Sequence, residues 1–208
     1  VIIEDVEQNT AEWLQLKRGC ASSSRGEDML KKRKDGQEPE GRRKYKYELW
    51  WERVNTLGDN YRHVMTQEMR EGHERQVLAT AEYELATGNT VTPIGFAFHP
   101  EIPNFGASTD GLVDPDGCVE IKCLQGINHL TILDTQVIPD EYLYQMNLEL
   151  SCTERQWCDF VAYNPTVPRH MQLFIKRLHR DDGLIRGYEC DIRQFLSEVD
   201  ELVRRWTI

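Results

Sequence analysis

Residues 106–124 read GASTDGLVDPDGCVEIKCL. Two short stretches of alternating apolar residues flank Asp114-Pro115-Asp116-Gly117. Asp opens such a turn, Pro fixes φ at the next position, and Gly supplies a residue that tolerates φ > 0. The pattern predicts a β-hairpin with a three-residue loop closed by a Gly bulge. In that register Asp114 faces Cys118, Val113 faces Val119, and Gly111 faces Ile121. One face is apolar. The other gathers Ser108, Asp110, Leu112, Glu120 and Lys122, with Asp110 opposite Lys122. A slip of one residue would carry Asp110 to the apolar face, so turn chemistry and alternation agree on which side it lies. Two carboxylates and an ammonium on one strand face read either as a solvated ion pair or as a site, and the rest of the chain decides between them.

The chain has 208 residues, 39% hydrophobic and 9% aromatic, enough for one full core. One domain over 1–208 is expected, with an N-terminal helical part at 1–88 packed on an α/β core at 89–208. No apolar run approaches a membrane span. Glu4, Asp5 and Glu7 stand where a signal peptide needs basic and then apolar residues. The six cysteines contain no CxxC pair, which argues against a structural zinc site and for reduced thiols in a cytoplasm. Net charge is −10, which excludes a protein whose whole surface grips nucleic acid. Residues 17–46 nevertheless hold eleven Lys or Arg against five acids. A basic segment on an acidic body suits a partner touched from one side only.

The hydrophobic pattern predicts a capped helical start at Thr10–Leu16 anchored by Trp13, and a short helix over 22–32. Residues 31–43 read as a mobile polar loop. Helices are expected over 44–57 and 64–87, the latter ended by Gly88, and further helices over 139–151 and 182–206. Strands are expected over 91–98, 105–113, 118–124, 156–163 and 171–177. The order gives one α/β domain with a single mixed sheet and flanking helices.

In the helix over 64–87, Leu78, Ala81 and Leu85 form an apolar stripe that Glu74 extends. A carboxylate on an inward stripe requires a partner. In the helix over 139–151, Gln145 lies beside Tyr142 and Leu148 on a largely apolar side. Glu74, Asp110, Glu120, Lys122 and Gln145 could thus converge on the polar hairpin face. Hard cations such as Mg²⁺ take carboxylate, carbonyl and phosphate oxygens, and a nearby lysine can hold a nucleophile or stabilise developing charge. The set points to metal-assisted phosphodiester hydrolysis.

Asp110 followed by Glu120-Ile121-Lys122 resembles the Asp…Glu-x-Lys pattern of the restriction-endonuclease-like nucleases. Trp13-Leu14-Gln15-Leu16-Lys17-Arg18-Gly19 with Ser22-Ser23-Ser24 resembles the N-terminal block of the lambda-type phage exonucleases, the YqaJ-like viral recombinase family. Gly72-His73-Glu74, Ser108-Thr109-Asp110-Gly111-Leu112 and Tyr142-Leu143-Tyr144-Gln145 resemble further motifs of that family, in family order. The helix motif has a Gly-to-Glu spacing one residue shorter here. The resemblance implies a restriction-endonuclease-like core and a Mg²⁺-dependent 5′→3′ exonuclease on linear double-stranded DNA, with Mn²⁺ able to substitute. It implies 3′ single-stranded tails made for phage or prophage recombination in a bacterial cytoplasm. It also implies a homotrimeric ring and a single-strand annealing protein as partner. Asp110, Glu120 and the Ile121 carbonyl would bind the metal, and Glu74 a second ion or its water. Lys122 would activate the attacking water, and Gln145 would steady it. Ser24, Ser108 and either Lys17 or Arg18 would hold the terminal 5′-phosphate. A structure-specific or site-specific endonuclease on the same fold is the alternative.

Overall fold

A computed structural model describes residues 2–56 and 67–206, without the side chains of 67–71 and 73. The chain begins with strand β1 (Ile2–Glu4) and helix α1 (Ala11–Leu16). Thr10 caps α1 through its hydroxyl, which accepts the Trp13 N–H. Strand β2 (Ala21–Ser22), one 3₁₀ turn and helix α2 (Gly26–Leu30) occupy the expected second helix. Helix α3 (Glu40–Val54) starts earlier than expected and shortens the loop before it. Helix α4 (Gln67–Thr87) ends at Gly88, whose φ is +75°. Residues 57 and 64–66 of the expected helices lie outside the described residues.

Each of the first two expected strands is divided. Strands β3 (Val91–Thr92) and β4 (Phe96–Phe98) replace one, and β5 (Phe105–Ala107) and β6 (Gly111–Val113) replace the other. Strand β7 (Gly117–Lys122) follows, then helix α5 (Gly126–Thr135), which the pattern did not signal, and helix α6 (Asp140–Thr153). Strands β8 (Trp157–Tyr163) and β9 (Leu173–His179) precede helix α7 (Asp182–Trp206). The strands form two mixed sheets, β1-β4-β5-β2 and β3-β6-β7-β8-β9, where one was expected. β7 and β8 run parallel at the centre of the second sheet.

The hairpin register differs from expectation by a paired shift. Gly111 faces Val119, Leu112 faces Cys118, and Val113 faces Gly117. The loop still has three residues but begins at Asp114, which takes the left-handed conformation at φ 49°. The Arg155 guanidinium binds the carbonyls of Asp114 and Pro115, and the Asp116 carbonyl accepts the Gln156 N–H at 2.7 Å, so the next connection clamps the loop. Gly117 serves close approach instead of a bulge, because a Cβ there would meet the Trp157 ring at 2.2 Å. A shift of two in the register preserves which face each residue occupies. Its extension puts Asp110 opposite Glu120 rather than Lys122.

Both faces of the second sheet are packed by a helix. On one side Ala79 and Tyr83 of α4 pack with Val113, Val119, Ile121 and Val161. On the other Met146 and Leu150 of α6 pack with Cys118, Cys158, Phe160 and Ala162. The inward stripe of α4 is therefore Gln76, Ala79, Thr80 and Tyr83. Leu78 and Leu85 of the expected stripe are 53% and 77% exposed. The stripe is set by what the sheet offers: the Tyr83 hydroxyl donates to buried Asp159 at 2.8 Å, and Arg177 binds the same carboxylate with two bonds of 2.8 Å. Removing one partner of a fully buried pair costs ~3–5 kcal/mol, and the 40% exposure of the Arg177 side chain reduces that here. Arg177→Met is expected to destabilise the fold by about 2 kcal/mol, read by urea unfolding. An unchanged midpoint would mean that Asp159 does not depend on this cation.

Candidate active site

The site forms where β6 separates from β7. Up to Gly111 the two strands pair by backbone bonds. Before Gly111, side chains take over: the Thr109 hydroxyl donates to the Val119 carbonyl at 2.8 Å, and the Ile121 N–H donates to Asp110 Oδ2 at 2.6 Å. Within a strand, one residue's N–H and C=O point to the same edge. The Ile121 carbonyl therefore faces the edge that Asp110 occupies. Burial, and next the charge of Glu120, push the Asp110 carboxyl up to about 8.

Glu120 lies one turn of the pleat away and is 2% exposed. Its Oε1 is 2.5 Å from Lys122 Nζ. Its Oε2 is buried beside the Glu149 carboxyl, and among the described residues no N–H or alcohol hydroxyl donates to it. Burial alone would lower the Lys122 ammonium, but the adjacent Glu120 carboxylate, then Asp110 and Glu149, outweigh it and raise it. Nζ also stands 3.3 Å from Gln145 Oε1 and 5.1 Å from the Tyr142 ring centroid. The sequence expectation that Asp110, Glu120, Ile121, Lys122 and Gln145 meet is therefore matched by their contacts.

Two further polar side chains complete the cluster. Glu149, one helical turn beyond Gln145, accepts the Gln145 amide at 2.9 Å. That bond turns the Gln145 carbonyl oxygen toward Lys122. Burial, then Glu120, raise the Glu149 carboxyl well above the usual range. Gln76 Nε2 donates to Asp110 Oδ1 at 2.6 Å. Glu149 was legible only as an i, i+4 partner of Gln145, and Gln76 only on the corrected stripe of α4. Glu74 is exposed, and no described contact joins it to Asp110 or Glu120. Two helical positions separate it from Gln76, which is about 200° around the axis.

The donors suit a hard cation. Asp110, Glu120 and the Ile121 carbonyl offer only oxygen, and Glu120 Oε2 is an acceptor that no N–H or alcohol hydroxyl among the described residues engages. A second group, Cys118 Sγ, the Glu149 carboxylate and Cys158 Sγ, lies within 4.8 Å of one another in the core. Burial raises the Cys158 thiol well above its ordinary range, which disfavours the thiolate a soft metal requires.

The expected phosphate-binding residues fall into two places. Lys17, Arg18 and Ser24 line a cavity of about 510 Å³ with Ser22, Arg25 and Tyr45. Ser108 is not among its lining residues, although its hydroxyl is buried and unpartnered. Lys17 Nζ lies 3.8 Å over the Trp13 ring, and burial lowers its ammonium to about 8. Arg18 donates to the Glu52 carbonyl at 3.1 Å and the Asn55 carbonyl at 2.6 Å, so its guanidinium ties down the end of α3. α6 packs against the 3₁₀ turn that carries Ser24, which connects this cavity to the Gln145 helix. The basic segment is largely paired: Arg25 with Asp28 and Glu48, Lys31 with Glu27, Lys32 with Asp191, Arg33 with Asp35, and Arg42 with Glu198.

The raised carboxyls have a pH consequence. A carboxyl whose folded value lies above its unfolded one binds more protons in the native state, so its contribution falls as pH rises. In chelator, stability is expected to decrease between about pH 4 and pH 8, the interval that Asp110 spans. A divalent ion competes with that proton, so metal affinity should increase through the same interval. Urea titrations and metal titrations at pH 6 and 9 check both directions, and a metal affinity independent of pH would place the ion elsewhere.

Comparison with known proteins locates this arrangement. The family model described as a YqaJ-like viral recombinase domain matches residues 12–156. The chain is similar to an alkaline exonuclease, LHK-Exo, from Laribacter hongkongensis, with 35% identity, a TM-score of 0.86, and coverage of 95% of this chain and 96% of that one. The structure of LHK-Exo in complex with dAMP matches with 36% identity and a TM-score of 0.85, covering 94% and 95%. A phage related exonuclease from Haemophilus somnus 129PT shares the fold at 11% identity, with a TM-score of 0.71 over 89% of this chain and 96% of that one. A search of curated proteins found no match. No helix among the described residues is long and apolar enough to cross a membrane. With its restriction-endonuclease-like α/β core and its family model spanning most of its length, the chain belongs to the YqaJ-like viral recombinase family.

Proposed function

We propose that the chain is a Mg²⁺-dependent 5′→3′ exonuclease that removes one strand of linear duplex DNA from 5′-phosphorylated ends. The convergence of Asp110, Glu120, Lys122 and Gln145 in one buried cluster carries this reading. Kinship with LHK-Exo supports it, because that relative's complex holds dAMP, a mononucleotide of the kind such cleavage would release. The reaction adds water to phosphorus and breaks the P–O3′ bond. It releases a 5′-mononucleotide and leaves a 5′-phosphate on the next residue.

Asp110, Glu120 and the Ile121 carbonyl would hold the ion. When bound, Mg²⁺ or Mn²⁺ polarises the scissile phosphate and makes water a better nucleophile. The Lys122 ammonium, already fixed by Glu120 and Gln145, orients the water and balances negative charge that develops on phosphorus. Gln145 positions Lys122 through its carbonyl oxygen while Glu149 holds its amide. Asp110→Asn, Glu120→Gln and Lys122→Ala are each expected to lower turnover by more than 100-fold with the fold retained, and only the carboxylate variants should weaken the metal. Near-normal turnover of Lys122→Ala at saturating Mg²⁺ would overturn the assignment.

Ser24, Ser108 and a cation would grip the terminal 5′-phosphate. Lys17 suits this better than Arg18, since its ammonium lines the cavity beside Ser24 while the Arg18 guanidinium is committed to α3. Products with 3′ single-stranded tails would feed recombination of the phage type, through a single-strand annealing protein. A homotrimeric ring around the duplex would let an acidic chain retain DNA. Linear duplex labelled at either end, with and without 5′-phosphate, tests the polarity. Mononucleotides should appear from 5′-phosphorylated ends. Lys17→Ala should slow them by about 10- to 100-fold, the worth of a charge-assisted bond, and should leave 5′-hydroxyl ends unaffected. Equal rates at both kinds of end, or cutting of circular DNA, would support an endonuclease instead.

A further inference from the structure

Helix α3 carries aromatic rings that the core does not use. Tyr45 and Leu49 are buried, whereas Tyr47 and Trp51, one turn apart on another side of the helix, are 51% and 58% exposed. Trp206 at the end of α7 is 67% exposed. Half-buried Trp50 joins the two helices, its ring centroid 6.1 Å from that of Tyr47 and 6.3 Å from that of Trp206. Cations border these rings. Arg43, one turn before Tyr47, is exposed and forms no ion pair among the described residues. Lys44 is 3.9 Å from Glu48, which Arg25 already holds at 2.8 Å, and Arg205 is 3.4 Å from Glu201. Exposed pairs of this kind are worth little and exchange readily for another anion.

We infer that this face of α3 and α7 binds single-stranded DNA, namely the strand that hydrolysis leaves uncut. This rests on the exonuclease reading given above, which produces such a strand. Every base has a π-face, so exposed aromatic rings hold successive bases without regard to sequence, and neighbouring cations meet the phosphates. In a duplex the base faces are already stacked on one another, so the rings favour a strand without its complement. Location supports the same occupant. Tyr45, Glu48, Leu49 and Glu52 of α3 line the cavity beside Lys17 and Ser24. Tyr47 and Trp51 lie across the same helix, a distance of about 10–12 Å. With the 5′ end of the cut strand in that cavity, its released complement reaches the rings within a few nucleotides. Arg18, bonded to the Glu52 and Asn55 carbonyls, fixes the end of α3 that bears Trp51. A strand held on these rings keeps the chain on its substrate between cuts.

The test is fluorescence anisotropy of a labelled oligothymidylate and of an abasic strand of equal length. Both carry 5′-hydroxyl ends, so the phosphate cavity is not engaged, and chelator prevents cutting. The unmodified chain should bind the oligothymidylate about tenfold more tightly than the abasic strand, the worth of stacking a base. Trp51→Ala and Tyr47→Ala should each lose about tenfold on the oligothymidylate and little on the abasic strand. Trp51→Phe keeps a ring and should retain most of the affinity, which separates stacking from misfolding. Leu85→Ser, on the exposed stripe of α4, should bind as the unmodified chain does. Equal affinity of the unmodified chain for the two strands, or unchanged affinity in both alanine variants, would overturn the inference. A smaller mass of Trp51→Ala by light scattering would assign the rings to a contact between copies of the chain and overturn it as well. Digestion of 5′-phosphorylated duplex by the unmodified chain in Mg²⁺, measured alongside, separates these failures from failure of the exonuclease reading. Digestion leaves that reading standing, and its absence would overturn both.

Discussion

A single backbone N–H organises the site. β6 pairs with β7 only as far as Gly111, and beyond that point the Ile121 N–H has no strand to meet. A buried donor must be satisfied, and the Asp110 carboxylate accepts it at 2.6 Å. This places an acid beside the strand that carries Glu120 and Lys122, and leaves the Ile121 carbonyl on the same edge. A hairpin that stayed paired for two more residues would satisfy the backbone internally and lose the carboxylate's anchor. The end of the strand pairing is therefore a functional feature of the hairpin.

Two helices then determine the electrostatics of this edge. α6 covers Glu120 and brings Gln145 and Glu149. α4 covers the other face and brings Gln76. Between them Glu120 is buried and Asp110 half-buried, so a charge on either is costly until a cation compensates it. Lys122 compensates part of it, and the rise of Asp110 to about 8 expresses the remainder. α4 itself is held by the bond from Tyr83 to Asp159, a carboxylate that Arg177 neutralises. The bond from Tyr83 thus fixes the register in which Gln76, two turns earlier on α4, meets Asp110.

The hairpin and the last helix were legible because their signals are redundant. Asp-Pro-Asp-Gly gives a turn by chemistry, and alternation gives the facing. An error of two in the pairing did no harm, since only an odd error exchanges faces. α7 repeats its apolar residues at helical spacing, and Ile185, Ile192, Phe195, Leu196 and Val199 are buried. α4 was misread because it is weakly amphipathic. Leu78 and Leu85 make one plausible stripe and Ala79 with Tyr83 another. Sequence favours the bulkier aliphatic set, but the sheet selects the set with a hydroxyl for Asp159. That choice moved Glu74 outward and Gln76 inward. Strands of two or three residues, such as β2 and β3, carry too few residues for a period to emerge. The roles of Lys17 and Arg18 also required the fold, because only the position of the α3 carboxyl end shows where the Arg18 guanidinium is spent.

The proposed hydrolysis depends on Asp110, Glu120 and the Ile121 carbonyl forming one oxygen-lined metal site. Crystals soaked in Mn²⁺ and measured at the manganese absorption edge test this directly. An anomalous peak is expected about 2.0–2.6 Å from an oxygen of each of Asp110 and Glu120 and from the Ile121 carbonyl, the range of hard-cation ligation. A peak at Cys118, Glu149 and Cys158, or none at the edge of β7, would contradict it.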